Sequence, residues 1–221
     1  QPYLYAVQVA GYIDENMALK TLDKNSERLI KNIKFNSSSK VIVNVGRVCS
    51  QKNQWLIVDA LKYDLLDKNI VLLFVGSVDY NVQGTKFMCR KIKQTIKDFN
   101  LNSHVCFLDY QSNIGPIVSD SDLLVHSTNR EAFGMVLVES MLLGTPIIST
   151  NVEAIPEILK GTKYALVPPN DSNRLRESIL NHFKKSFKKQ REIVCSGEVR
   201  VKEFTKKGKR VREIISLIER F

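Results

Sequence analysis

The stretch Leu123-Leu124-Val125-His126-Ser127-Thr128-Asn129-Arg130-Glu131-Ala132-Phe133-Gly134-Met135-Val136-Leu137-Val138-Glu139-Ser140 decides the fold. It begins as a short apolar run, passes through small polar turn formers, and from Phe133 and Gly134 opens an apolar helical segment. A strand, a polar loop and a helix in that order form one repeat of an α/β sheet. Similar runs lie on either side: Val41 to Val45, Ile70 to Val75, Val105 to Leu108, Pro146 to Thr150 and Tyr164 to Val167. They are almost continuously hydrophobic, as strands covered on both faces by crossover helices must be. The spacing predicts a doubly wound parallel sheet of about six strands. Between the strands, Trp55, Leu56, Val58, Ala60 and Leu61 give one helical core stripe, and Phe87, Ile92, Ile96 and Phe99 another.

The 221 residues are 43% hydrophobic, enough for one sizeable core with appendages. No apolar run reaches membrane-spanning length, and Gln1-Pro2-Tyr3 does not open a signal peptide, so the chain reads as cytoplasmic. Cys49, Cys89, Cys106 and Cys195 are far apart, lack metal-ligand spacing, and are expected to be buried free thiols.

Residues 1–40 read as a linker and a preceding helix, ending in Asn36-Ser37-Ser38-Ser39. Residues 188–221 read as a basic helical segment in which Val211, Ile214, Ile215 and Ile218 need a surface to cover. The formal charge is +10, and between Lys184 and Arg212 twelve Lys or Arg face three Glu. This excess is either a solvated helical surface or a patch drawn to anionic lipid at the inner face of a membrane. Nucleic acid is disfavoured, because Phe183, Phe187 and Phe204 are expected to pack helices and not to stack bases.

In an open parallel sheet, ligands bind beyond the carboxyl ends of the strands. After the first strand come Gly46, Arg47 and Lys52, a glycine that admits close backbone approach and two cations that can converge on one diphosphate. After the fourth come Glu131 in the loop, a helix start whose N–H groups and dipole suit phosphate or sugar oxygens, and Glu139 inside that helix. A carboxylate there can accept the paired hydroxyls of a sugar. Glu139 has little room for a solvated face among Val136, Leu137, Val138, Met141, Leu142 and Leu143. No Gly-x-Gly-x-x-Gly follows the first strand, which disfavours dinucleotide oxidoreductases.

Together these features resemble the donor domain of the family-4 (group 1) retaining glycosyltransferases, the Rossmann-like C-terminal half of the GT-B fold. Gly46-Arg47 with Lys52 resembles that family's diphosphate-binding pair, and Glu131 to Glu139 its paired-glutamate motif with seven intervening residues. Gly144-Thr145-Pro146-Ile147-Ile148, Pro156-Glu157-Ile158 and Leu166-Val167-Pro168-Pro169-Asn170-Asp171 are similar to its later turns and loops. The resemblance implies a donor-binding domain over residues 41–187. Arg47 and Lys52 would lie on the donor diphosphate, Glu139 on the ribose hydroxyls, and Glu131 on the transferred sugar. Backbone N–H groups of Phe133, Gly134, Met135 and Val136 would hold sugar and phosphate oxygens, and Tyr110 would lie near the base. It also implies a uridine diphosphate sugar in preference to guanosine or adenosine forms, no metal, and a role in polysaccharide biosynthesis. A glycan or lipid-linked acceptor would be held by an N-terminal domain preceding residue 1, so the chain alone would transfer nothing. Three positions depart from the family: Asn53 and the Val152-Glu153-Ala154 loop stand where it often has glycine, and Asp109 replaces another.

Asp120-Ser121-Asp122 spells a metal-binding Asp-x-Asp, but at the amino end of a strand, away from the crevice. His126 is expected to pack or hydrogen-bond, since only His104 and His182 accompany it in the chain. A non-catalytic nucleotide-binding relative and a basic nucleic-acid-binding protein remain as alternative readings.

Overall fold

The computed structural model describes residues 38–207. The expectations for residues 1–37, for Val211, Ile214, Ile215 and Ile218, and for Phe204's packing fall outside what it describes. Six strands, β1 (Lys40–Val45), β2 (Ile70–Val75), β3 (Val105–Leu108), β4 (Leu123–His126), β5 (Ile147–Thr150) and β6 (Ala165–Val167), form one sheet. All pairings are parallel, in the order β3-β2-β1-β4-β5-β6. Chain direction across the sheet therefore reverses between β1 and β4, where Ile42 pairs with Leu123 and Val43 with Leu124. The loops leaving these two strands open into the crevice of the topological switch point.

Among the described residues, seven helices cover the sheet: α1 (Gln54–Leu61), α2 (Thr85–Asp98), α3 (Gly115–Ser119), α4 (Met135–Leu142), α5 (Ile155–Ile158), α6 (Ser172–Phe183) and α7 (Phe187–Lys207). Strand residues alternate between two cores. Ile42, Leu72 and Phe74 meet Leu56 and Ile57 of α1, Ile92 and Ile96 of α2, and Leu175 and Ile179 of α6. Val41, Val43 and Leu73 meet Ile117 of α3, Leu137 and Met141 of α4, and Ile193 and Val201 of α7. Each such fully buried aliphatic side chain contributes about 1.5–3 kcal/mol.

Some core expectations are corrected. Phe87 is exposed, and α2 turns Met88, Cys89, Ile92 and Ile96 inward instead. Lys91 Nζ lies 5.0 Å from the Phe87 ring and 5.3 Å from the Trp55 ring, a cation–π contact that suits a rim position. Phe187 is 77% exposed and packs no helix, although Phe183 does. All four cysteines are free, but only Cys49 and Cys89 are buried; Cys106 is half-buried and Cys195 exposed.

Two features lock the periphery. Gly76 (φ +141°) directly follows β2, and a β-carbon there would be driven into the Gly46 carbonyl, so the two strand ends can meet only through glycine. On the far side, the buried face of α7 runs through Ile193, Gly197 and Val201, and Tyr164 lies against Gly197 where a methyl group would overlap the phenol. The Tyr164 hydroxyl is buried without a hydrogen-bond partner among the described residues.

Candidate functional site

The crevice is built from a buried polar network. Asn44, a polar residue within the apolar β1, donates from Nδ2 to the Val125 carbonyl at 2.8 Å. Its Oδ1 accepts from Gln54 Nε2 at 3.2 Å, and the same amide donates to the Arg47 carbonyl at 3.1 Å. Gln54 Oε1 accepts from the Cys49 N–H at 3.3 Å. One buried glutamine thus shapes the whole turn carrying Arg47 and Lys52. That loop is stitched to the β4 loop by Ser127 Oγ donating to the Lys52 carbonyl at 2.9 Å and by the Asn129 N–H donating to the Gln51 carbonyl at 2.8 Å. Nothing in the local sequence of Asn44 or Gln54 reveals this network except polar side chains inside apolar runs.

Across the crevice, Lys52 Nζ donates to Glu131 Oε2 at 2.5 Å. His126 Nε2 lies 3.1 Å from the same oxygen, and the Gly134 N–H donates to Oε1 at 3.0 Å. Three of the roughly four acceptor sites of the carboxylate are thereby used. Burial opposes ionisation of Glu131, but the Lys52 hydrogen bond and charge, the Gly134 amide and His126 outweigh it and hold the carboxyl below its ordinary value. Burial, and then the Lys52 charge, push His126 down to about 4 against the pull of Glu131. It is therefore neutral near pH 7, with Nε2–H donating to Glu131.

Gly134 (φ +67°) caps α4, which starts at Met135 and not at Phe133 as the sequence suggests. A side chain at Gly134 would crowd Leu137, Glu131 and Ile158. With Gly134's amide taken by Glu131, the N–H groups of Phe133, Met135 and Val136 have no acceptor among the described residues and remain at the positive end of the helix. Five residues into α4, Glu139 is half-buried and its carboxylate forms no hydrogen bond or ion pair with another described residue; burial pushes its carboxyl up.

The two cations do not share one partner. Lys52 is on Glu131, while Arg47, 59% exposed, is held by Asp79, with Nη1 2.5 Å from Oδ2. Asp79 has no signature in the sequence. The Lys52 stem lies over Gly46 at ordinary contact distance, and it is the backbone there, at φ +144°, that favours glycine. Tyr110 is 72% exposed beyond β3, and its N–H donates to Asp109, which also accepts from Ser77 Oγ. Asp122 spends its carboxylate on the Val41 N–H and on Lys40 at the opposite end of the sheet. Among the described residues no three His, Cys, Asp or Glu side chains gather as a metal site.

Two of the three departures from glycine retain a glycine-like backbone, Asn53 at φ +50° and Glu153 at φ +43°, whereas Asp109 does not. Asn tolerates this conformation, whereas for Glu it costs about 1–2 kcal/mol. Asn53 offsets the cost by donating to Asn170 Oδ1 at 3.0 Å.

A six-stranded parallel sheet of order 3-2-1-4-5-6, with cations, carboxylates and a helix start gathered at its switch point, is a Rossmann-like domain that matches the GT-B glycosyltransferases in fold. Residues 25–198 match the family described as glycosyl transferases group 1, and the chain belongs to it. It is 29% identical over 152 residues to N-acetyl-alpha-D-glucosaminyl L-malate synthase of Bacillus anthracis, covering 69% of this chain and 37% of that protein. The chain thus spans well under half the length of such curated relatives. The fold is shared with Anabaena HepE in complex with UDP and glucose, at TM-score 0.66 and 22% identity over 76% of this chain and 44% of that one. It is also shared with the C-terminal domain of a glycosyl transferase group 1 family protein from Francisella tularensis, at TM-score 0.66 and 19% identity, covering 82% of this chain and 93% of that domain. No helix among the described residues is long and apolar enough to cross a membrane.

Proposed function

We propose that this chain is the donor-binding half, residues 41–187, of a family-4 retaining glycosyltransferase that moves a sugar from a nucleoside diphosphate, uridine diphosphate foremost, to a glycan or lipid-linked acceptor. The observation that carries the proposal is the Lys52–Glu131 pair at the switch point, beside the unpaired first-turn amides of α4 and the partnerless carboxylate of Glu139. The donor diphosphate sits between Arg47, Lys52 and the amides of Met135 and Val136. Glu139 accepts the ribose hydroxyls, Tyr110 covers the base, and Glu131 uses its remaining lone pair on the sugar.

As the glycosidic bond breaks, negative charge gathers on the departing phosphate oxygen. Arg47 and Lys52 stabilise it from fixed positions, and loss of one such group commonly costs on the order of 3 kcal/mol in barrier. The leaving phosphate takes the proton of the acceptor hydroxyl on the same face. No protein nucleophile and no metal is needed. The acceptor is held by an N-terminal domain, in the cytoplasm, with the basic C-terminal segment able to meet an anionic membrane surface. In calorimetry with uridine diphosphate, Arg47→Ala and Glu139→Ala weaken binding, and unchanged affinity in both would refute the site. The purified chain transfers no sugar to an added acceptor, so measurable transfer would refute its being half of the unit.

A further inference from the structure

Glu153 lies in the loop after β5, between that strand and α5, in a left-handed backbone that a residue with a β-carbon adopts only at a cost. Glycine would make the same turn without strain. Glu153 is also 43% exposed, so its interactions bring little stability of their own. Its carboxylate nevertheless folds back onto the neighbouring loop. Oε2 accepts the Glu131 N–H at 2.6 Å, and Oε1 lies 3.3 Å from Nε of Arg130. One residue on, the Ala154 N–H donates to the Glu131 carbonyl at 3.4 Å. The peptide groups on either side of Glu131 are thus held by the β5 loop, while its side chain is held by Lys52, His126 and Gly134. A strained residue whose side chain is spent on the main chain of one particular glutamate is built for placement of that glutamate.

We infer that Glu153 is a positioning residue for the sugar subsite, clamping the Glu131 main chain so that the Glu131 carboxylate meets the transferred sugar at a fixed depth. This rests on the donor-site reading above. It makes the contribution of Glu153 specific to the sugar: the diphosphate is held by Arg47, Lys52 and the α4 amides, none of which Glu153 touches. Among the described residues, Arg130 is the side chain that shares its carboxylate, and it points the pair outward to solvent.

The test uses the 221-residue chain, unmodified and as Glu153→Gly and Glu153→Gln, with calorimetry against uridine diphosphate and uridine diphosphate glucose and with thermal melts. Glycine suits the turn and removes the clamp, whereas glutamine keeps an oxygen for the Glu131 N–H. Glu153→Gly should bind uridine diphosphate as the unmodified chain does but bind the sugar nucleotide about five- to tenfold more weakly, the size of one charge-assisted hydrogen bond. Glu153→Gln should restore most of that loss. The inference is overturned if Glu153→Gly leaves sugar-nucleotide affinity unchanged, if both ligands weaken equally alongside a lower melting temperature, or if glutamine fails to rescue. If the unmodified chain binds none of uridine diphosphate glucose, guanosine diphosphate mannose or adenosine diphosphate glucose, the donor-site reading itself falls and this inference with it. Normal binding that is insensitive to residue 153 overturns the clamp alone.

Discussion

Glu131 and Glu139 are the same side chain eight positions apart on one strand–loop–helix unit, yet they are set up in opposite ways. The loop residue is engaged by a cation, a neutral imidazole and a backbone amide, and its carboxyl is held low. The helix residue is half-buried with a carboxylate that has no partner among the described residues, and its carboxyl is pushed up. A loop can bend its main chain to bring donors to a carboxylate. A helix fixes its own backbone bonds and leaves a side chain with only what the neighbouring surface offers. The first arrangement fixes a carboxylate in place, and the second leaves one that the proposed donor site would offer to hydroxyl groups.

Removing the cation should do most to erase the contrast. Lys52→Ala leaves Glu131 as a partly buried charge without its counter-ion, at a cost of roughly 3 kcal/mol in urea unfolding near neutral pH. Nucleoside diphosphate affinity should fall on the order of tenfold to a hundredfold with it. Wild-type stability in this variant would show that the pair holds nothing. For Glu131 the sign is clear: with its folded pKa below the ordinary 4.5, its stabilisation is complete above that value and is lost as pH falls through the folded one. In Lys52→Ala this acid-side loss should shrink.

His126 gives the next effect. Its pKa drops from 6.5 to about 4 on folding, so the unfolded chain takes up a proton first. Stability is therefore full above 6.5 and declines by up to ~3 kcal/mol as pH falls toward 4. Urea titrations at pH 7, 5.5 and 4 should show this slope, made shallower by His126→Gln. His182, also lowered to about 4, adds a parallel decline, and an unaltered slope with both histidines replaced would refute the assignment. The smallest effect belongs to Glu139→Gln. A carboxyl raised by burial favours the folded chain below 4.5 and loses that advantage as pH rises through its folded pKa. At neutral pH the substitution should leave stability unchanged or raise it by less than about 1 kcal/mol while weakening nucleoside diphosphate binding. A clear loss of stability would mean that Glu139 has a structural partner after all.

The sheet was legible because continuous apolar runs separated by helical stripes admit few arrangements, and the strand ends marked where the crevice opens. Phe87 misled because helical spacing alone cannot tell a core position from a rim position that a lysine covers. Pairing was illegible in principle. Lys52 and Glu131 are 79 residues apart, and Arg47 and Asp79 are 32 apart, so only the closed crevice decides which charge meets which. Asn53 and Glu153 fall between these cases: the sequence showed glycine displaced, and the backbone shows its conformation retained.

The notch at Gly197 has a consequence for the charge carried by the last described helix. Because Tyr164 fills the space where any other residue would put a β-carbon, α7 has one rotational phase against the sheet. Sliding it by a single residue would press Ser196 or Glu198 into the phenol. That one missing methyl therefore acts as a compass for the whole helix, keeping Lys188, Lys189, Arg191 and Lys202 facing water.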